Sequence, residues 1–365
     1  MKHKYRLNSV LDSIEEKGVD VLLVTHLPNI RYLCGFTGSA GAIVVSKEGS
    51  RLFTDGRYTE QARNEVVGCK VEIASKPPLT AAAAWLKERR RSLAGRKACY
   101  VGIEGEHLTV AERRQLSSLL PSGFQLKETS GLVERLRMVK DADEIKCMRA
   151  AGVLGASLFG TALKTIRPGV KETEVAAEME YAARCAGAEG MSFPTIIAAG
   201  KRSALPHGRA STTAIPARGF VVCDFGVILA GYCSDRTRTV HVGPPGREAQ
   251  RMYEAVREAQ SAAIAAVKPG IKVGEVDHIA RKLLEKSGFG KHFTHSTGHG
   301  VGLEIHEAPR VASGQTEMLI PGMVITIEPG VYVPERGGVR IEDVVVVTER
   351  GCEILSPSST ALITI

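Results

Sequence analysis

The stretch Arg167-Pro168-Gly169-Val170-Lys171-Glu172-Thr173-Glu174-Val175 returns as Lys268-Pro269-Gly270-Ile271-Lys272-Val273-Gly274-Glu275-Val276, an offset of 101 residues (167 to 268). In each copy Pro-Gly stops one helical segment, and the charged residues that follow open another. The flanking periodicity predicts helices over about 142–166 and 172–186 in the first copy, and over about 247–266 and 273–287 in the second. Asp143-Glu144 suit the first turn of the longest of these. Strand-rich sequence follows each copy. Two helix–turn–helix units with strands between them imply a pseudo-symmetric α+β domain, its helices packed on one face of a curved antiparallel sheet. A fold built this way leaves a cleft where its halves meet.

Both strand regions carry acidic residues where apolar ones are expected. Residues 220–229 read as a buried strand interrupted by Asp224, and Leu229-Ala230-Gly231 reads as a turn. Asp235 lies on the way into a return strand over 237–242. The midpoint between Asp224 and Asp235 falls on that turn, which predicts the two side by side with Cβ atoms roughly 4.5–5.5 Å apart. Residues 323–327 form a second apolar strand ending in Glu328-Pro329, and 339–347 a third that carries Glu342. Their midpoint is Glu335, beside the turn Arg336-Gly337-Gly338, so Glu328 and Glu342 are expected to face each other as well. Carboxylates forced together in apolar strands repel and are poorly solvated, and a cation between them relieves both costs. One such pair could be a local hydrogen-bonding device. Two pairs, one from each half, point to metal.

Between the two acidic strand regions lies Thr294-His295-Ser296-Thr297-Gly298-His299-Gly300. A lone histidine is more often a satisfied core residue than a ligand, but beside four strand carboxylates His299 becomes the natural nitrogen donor. The glycines around it let the backbone approach closely. Four carboxylates and one imidazole exceed the needs of a four-coordinate zinc ion. They suit two divalent ions held about 3.5–4 Å apart by bridging carboxylates. Mn²⁺ is the expected ion, with Co²⁺, Zn²⁺ or Fe²⁺ as alternatives. An ion pair of this kind activates a water for attack on a carbonyl.

The first 130 residues have a different character. An amphipathic stretch at 7–17 precedes apolar or strand-like runs at 19–24, 40–45, 51–54, 71–74 and 98–103, with helical segments at 59–65 and 80–91. Strands alternating with helices predict an α/β domain over 1–130, followed by the α+β domain over 131–365, with the boundary near 128–138. The glycines of Phe36-Thr37-Gly38-Ser39-Ala40-Gly41 read as a tight turn, since the Lys-Ser/Thr ending of a phosphate loop is missing. The chain carries a net charge of +8, and Lys87, Arg89, Arg90 and Arg91 cluster on one segment. Without interleaved aromatic residues they read as a solvated helix face, so no nucleic-acid partner is expected. No apolar run reaches the roughly 20 residues of a membrane span, and the opening residues hold no apolar signal core, so a cytoplasmic protein is expected. Eight cysteines without Cys-x-x-Cys spacing read as reduced thiols, Cys223 and Cys233 among them as small core fillers.

At these residues the chain resembles the "pita-bread" metallopeptidases, which include methionine aminopeptidase, Xaa-Pro aminopeptidase and Xaa-Pro dipeptidase (prolidase). The matching stretches are 224–239, 295–310, 326–330 and 339–343. Residues 1–130, with Arg31-Tyr32-Leu33, 36–41 and Thr54-Asp55-Gly56-Arg57-Tyr58, resemble the creatinase-type N-terminal domain of the proline-specific branch. The resemblance implies that Asp224 chelates the first ion, Asp235 and Glu342 bridge both, and His299 with Glu328 hold the second. It implies Glu328 as general base, His207 in contact with the substrate carbonyl, and His306 as stabiliser of the tetrahedral intermediate. It places His295 and Arg340 near the substrate ends and the proton path, and Arg310 on a substrate carboxylate. It also implies a homodimer acting on short proline-containing peptides. The expected activity is release of the N-terminal residue from Xaa-Pro peptides, with Xaa-Pro dipeptidase as the alternative. Creatinase shares both domains but works without metal, and a non-catalytic binding protein of this fold would have lost ligands. The complete five-residue donor set argues against both.

Overall fold

The structure, a computed structural model, describes residues 2–95 and 97–365. It divides into two compact units, one ending at Arg137 and the other beginning at Met138. The expected boundary of 130/131 falls just before the helix that closes the first unit.

In the N-terminal unit the order is α1 (His3–Glu16), β1 (Val21–Val24), α2 (Leu27–Cys34), β2 (Ala42–Ser46), β3 (Arg51–Asp55), α3 (Thr59–Glu65), β4 (Lys70–Ala74), α4 (Pro78–Ala94), β5 (Cys99–Glu104), α5 (Val110–Leu119), β6 (Phe124–Thr129) and α6 (Leu132–Met138). The strands form one mixed sheet in the order β4-β3-β2-β1-β5-β6. β1–β2 and β2–β3 run antiparallel, the other pairs parallel. β1 and β2 are buried along their whole length, as their unbroken apolar sequence requires. Trp85 and Leu86 of α4 pack against Val21, Leu23, Val44 and Phe53. The basic residues Lys87, Arg89, Arg90 and Arg91 lie in α4, where the Arg89 guanidinium stacks over the Trp85 ring at 4.7 Å. Helix α2 was not among the expected elements. Pro28 sits in its first turn and Gly35, at φ 85°, ends it.

The C-terminal unit begins with α7 (Ala142–Thr165) and α8 (Glu172–Cys185), and its second half with α9 (Arg247–Ala266) and α10 (Val273–Lys286). Asp141 caps α7 in a reciprocal box with Glu144. The repeated Pro-Gly segments turn in the same way. Gly169 and Gly270 have φ of 86° and 83°. Gly169 N donates to Ile215 O where Gly270 N donates to Leu319 O, and Glu172 N to Thr213 O where Val273 N donates to Glu317 O. The two-fold likeness read from the sequence is therefore present in the backbone hydrogen bonds. Each half also has its own apolar core, around Val175, Met179, Val221 and Phe225 in the first, and around Val256, Val276, Ile325 and Val345 in the second.

The strands follow in the order β7 (Gly190–Met191), β8 (Ile196–Ala199), β9 (Gly219–Phe225), β10 (Val227–Leu229), β11 (Tyr232–Cys233), β12 (Arg236–Val242), β13 (Gly298–Gly300), β14 (Glu307–Val311), β15 (Val324–Ile327), β16 (Gly330–Val333), β17 (Gly337–Arg340) and β18 (Asp343–Val347). In the first half β8, β9 and β12 are antiparallel neighbours. In the second, β14-β13-β15-β18 are neighbours, and β16 and β17 form a separate pair.

Register corrects one expectation. Asp224 pairs with Thr237, not Asp235. The turn is two residues long, Ala230-Gly231 with φ of 50° and 79°, and Leu229 pairs with Tyr232 across it. Positive φ at both central positions is the turn that suits twisted strands. Centring the hairpin there puts Asp235 opposite Gly226, so Asp235 is a diagonal neighbour of Asp224 on the same face. The second pair falls as expected. Ile327 pairs with Asp343 and Gly330 with Arg340, which sets Glu328 opposite Glu342 in the break between the two ladders. The turn there carries Glu335 at φ 66°.

β13 needs its glycines. A Cβ on Gly298 would lie 1.9 Å from Thr326 O, and one on Gly300 2.1 Å from Ala308 O. G298A should therefore lower the thermal unfolding midpoint sharply, by more than about 2 kcal/mol of stability. G160A lies on an exposed turn of α7 with nothing within 4 Å of the added Cβ, and should raise stability by roughly 0.5–1 kcal/mol. Equal midpoints for the two variants in differential scanning calorimetry would contradict this packing.

Candidate metal centre

β9 delivers Asp224, the chain entering β12 delivers Asp235, and the break between the β15–β18 and β16–β17 ladders delivers Glu328 and Glu342. His299 stands at the centre of β13. The residues predicted from the sequence, these five with His207, His295, His306, Arg310 and Arg340, all line one cleft of about 780 Å³ within the C-terminal unit. Phe193, Pro194, Ile196 and Ile305 add an apolar wall.

The carboxylates are deeply placed. Asp224, Asp235 and Glu342 are 8%, 6% and 2% exposed. One donor atom each from Asp235, His299 and Glu342 lie within 4.8 Å of one another. His299 Nε2 is 3.6 Å from Asp235 Oδ2 and 3.4 Å from Glu328 Oε1. Its Nδ1 is 2.9 Å from Gly300 O, and because a carbonyl only accepts, Nδ1 carries the proton and Nε2 turns a lone pair toward the carboxylates. Burial lowers the His299 pKa to about 4, which keeps the ring neutral and able to donate that lone pair.

Burial, and then the carboxylates of Glu342, Asp224 and Glu328, push the Asp235 pKa well above the usual carboxylate range. Burial followed by Glu342 does the same to Glu328. Burial followed by Asp224 raises Glu342 to about 8. Among the described residues Arg340 is the single guanidinium hydrogen-bonded to these carboxylates, with Nη2 2.5 Å from Asp224 Oδ2. The other oxygen, Asp224 Oδ1, is buried with no hydrogen-bond partner among the described residues. An orphaned carboxylate oxygen beside three further acidic groups and an imidazole lone pair fits divalent cations.

Arg340, expected near the substrate ends and the proton path, lines the cleft from its buried side. It is buried, its Nε donates to Thr237 Oγ1, and its Nη1 donates to Pro206 O and Tyr332 OH. Arg310 contrasts with it. It is exposed, sits opposite His299 across β13–β14, and makes no ion pair among the described residues. His207 and His306 are also exposed at the cleft, and the His306 ring lies edge-on to His299 with centroids 4.4 Å apart.

Several supporting residues escaped the sequence reading. Tyr332 OH bridges His295 Nε2 at 2.9 Å and Arg340 Nη1 at 2.6 Å. Thr237 Oγ1 donates to Glu342 Oε2 at 2.7 Å. Asp277 and Arg281 of α10 hold the histidine segment: Asp277 Oδ1 accepts from Thr297 N and Oγ1, and Arg281 donates to Phe293 O and His295 O. The i, i+4 spacing of Asp277 and Arg281 was a readable sign of an ion pair, though not of what it holds. Cys223 and Cys233 are buried, and burial drives both thiols up to about 12, in keeping with core fillers.

Residues 146–349 match the model of metallopeptidase family M24, and residues 6–139 the creatinase/prolidase N-terminal domain. The chain belongs to metallopeptidase family M24. Among solved structures it is similar to an Xaa-Pro dipeptidase from Bacillus anthracis, 40% identical with a TM-score of 0.94 and complete coverage of both chains. It is also similar to an X-Pro aminopeptidase from Thermotoga maritima, 35% identical with a TM-score of 0.87, covering 95% of this chain and 98% of that one. An Xaa-Pro dipeptidase from Pyrococcus horikoshii is 37% identical over 98% of each chain. As an M24 member the protein is a metal-dependent peptidase with the pita-bread fold. Among the described residues no helix is long and apolar enough to cross a membrane.

The raised carboxyl pKa values have a measurable consequence. Folded Glu342 titrates at about 8 against an ordinary 4.5, so between those values the folded metal-free protein binds more protons than the unfolded chain. This contribution to stability is lost as pH rises toward 8, and because His295 and His299, lowered to about 4, oppose it below pH 6.5, the net fall in stability should appear between pH 6.5 and 8. Divalent metal, which needs the ionised form, should restore stability at pH 8. Thermal unfolding of chelated and Mn²⁺-supplemented protein across this range checks it. A metal-free midpoint that rises toward pH 8 would contradict the assignment.

Proposed function

We propose that the protein is an Xaa-Pro dipeptidase acting through two divalent ions held by Asp224, Asp235, His299, Glu328 and Glu342. The observation that carries the dipeptidase reading is Arg310, a guanidinium at the cleft without an ion-pair partner among the described residues. A bidentate contact to a terminal carboxylate is what such a group does best, and a dipeptide carries that carboxylate directly on its proline. Arg340, the other guanidinium considered for the role, is occupied by Asp224 and Tyr332. The dipeptidases from B. anthracis and P. horikoshii support the same reading. Residues 54–58, part of the resemblance to the proline-specific branch, do not choose between aminopeptidase and dipeptidase. These lie in the N-terminal unit, where Thr54 donates to Ala40 O and Asp55 pairs with Arg57, and they say nothing about room beyond a bound proline.

Divalent ions bound here supply Lewis-acid activation of a water and of the scissile carbonyl, and Mn²⁺ is the ion we expect from one nitrogen and four carboxylate donors. Glu328 accepts the proton of the attacking water and returns it to the proline nitrogen, a secondary amine that cannot leave without one. His306, whose pKa is lowered by partial desolvation of its cleft-facing ring and then by His207, stays neutral and donates a hydrogen bond to the carbonyl oxygen as charge develops. His207, at the same cleft, contacts that carbonyl from the substrate side. The ring of proline packs on the wall formed by Phe193, Pro194 and Ile305. Arg340 and Tyr332 hold Asp224 and His295 in place.

With Mn²⁺ supplied, Ala-Pro should be cleaved with at least tenfold higher kcat/KM than Ala-Pro-Ala. R310A should raise KM for Ala-Pro by roughly 10- to 100-fold, the value of a charge-assisted contact, and change Ala-Pro-Ala cleavage little. The reverse substrate order would make the protein an aminopeptidase. E328Q should lose roughly 10²- to 10⁴-fold in kcat while retaining metal, whereas D235N and E342Q should lose bound metal together with activity. Metal analysis that finds full metal content in D235N would contradict its place as a metal ligand.

A further inference from the structure

A second donor cluster lies wholly within the N-terminal unit. One donor atom each from Glu106, His107 and Glu134 lie within 4.8 Å of one another. We propose that these residues form a separate, structural site for one Zn²⁺-class ion, completed by water. His107 stands in the turn after β5, where His107 N and Leu108 N both donate to Glu104 O. Glu134 lies in the first turn of α6. The donors come from different elements, and an ion between them ties the end of β5 to α6.

Two of the donors are already oriented. His107 Nε2 is 2.9 Å from Glu134 Oε1. Asn29 Nδ2 donates to Glu134 Oε1, and Asn29 Oδ1 accepts from Arg137 Nη1 at 2.7 Å, which locks the carboxylate in place. The His107 ring is fixed by stacking on His26, with centroids 3.6 Å apart and planes inclined by 8°. Outer partners that fix ligand orientation are what a metal site needs beyond its donors. Glu104 is not a further ligand, because its oxygens accept from Thr25 N, His26 N and Asn29 Nδ2.

Space and charge both suit an ion. The cluster faces a small cavity of about 10 Å³, lined by Glu106, His107 and Glu134, which is the room of about one water-sized sphere. A histidine–glutamate hydrogen bond by itself needs no second carboxylate, yet a Glu106 oxygen, whose carboxylate also accepts from Ser130 Oγ, lies within 4.8 Å of both partners. One imidazole and two carboxylates, with water as a fourth donor, are a mixed N/O set of the kind Zn²⁺ or Co²⁺ takes, whereas Ca²⁺ takes six to eight oxygens. Among the described residues the cluster faces only this small cavity and no substrate-sized cleft, which suits a structural role.

The test uses the full-length protein, loaded with Zn²⁺, freed of excess by gel filtration and analysed for zinc. Wild-type protein should carry about one more Zn²⁺ per chain than H107A, and Mn²⁺-supported peptidase activity should be the same in both. Because H107A also removes the stack on His26, E106Q, an exposed position outside that network, serves as the second variant. E106Q should bind this Zn²⁺ at least tenfold more weakly with an unchanged metal-free unfolding midpoint. Repeating the comparison in a D235N/E342Q background counts the N-terminal ion whether or not the central cleft binds metal. Equal zinc content in wild type, H107A and E106Q in either background would overturn the proposal.

Discussion

Four acidic side chains held out of water at the meeting of two strand pairs are the constraint around which the C-terminal unit is organised. Two like charges about 4 Å apart repel by about 4 kcal/mol at an effective dielectric near 20, before any cost of burial. Among the described residues one guanidinium, Arg340, is hydrogen-bonded to them. Left alone, the cluster resolves the conflict by keeping protons, as the raised pKa values of Asp235, Glu328 and Glu342 describe. Added positive charge resolves it differently, by making the ionised form the stable one. A site with this balance responds to metal and to pH together.

The architecture makes the constraint tolerable by distributing it. Each half of the pseudo-symmetric unit contributes one acidic pair on its own hairpin, with its own apolar core behind it. The halves are joined where the charge is, since Glu342 N donates to Thr237 O and Arg238 Nη1 donates to Glu342 O. The ladders break at Glu328 and Glu342 because these backbones turn aside, Glu328 N to Thr297 O and Glu342 N to Thr237 O. Broken ladders let both side chains point into the cleft. Asp277 and Arg281 then fix the histidine segment from behind, so the nitrogen donor is rigid before any ion arrives.

Much of this was legible in the chain because it rests on local rules. Proline and glycine punctuation located α7 to α10 closely, and the 247–266 helix coincides with α9. Counting from Glu335 placed Glu328 opposite Glu342. The same count slipped between Asp224 and Asp235, because the hairpin centre falls between Ala230 and Gly231 and a non-glycine residue at positive φ leaves little trace in sequence. Helix α2 was hidden by its length of 8 residues, too short for a periodic signal and held by burial of Ile30 and Leu33. Tyr332 reads as an ordinary strand aromatic. Its bridge between His295 and Arg340 depends on two residues distant in sequence. Preference between dipeptide and longer substrate is hidden for a related reason: it depends on which guanidinium remains unoccupied, and Arg310 and Arg340 differ in that only once folded.

The most direct test of the central claim is anomalous diffraction at the manganese edge from crystals of the Mn²⁺-loaded protein. The account predicts two adjacent peaks in the cleft, one among Asp224, Asp235 and Glu342, the other among Asp235, His299, Glu328 and Glu342. A cleft without anomalous density, with those carboxyl groups instead hydrogen-bonded to one another through retained protons, would contradict it.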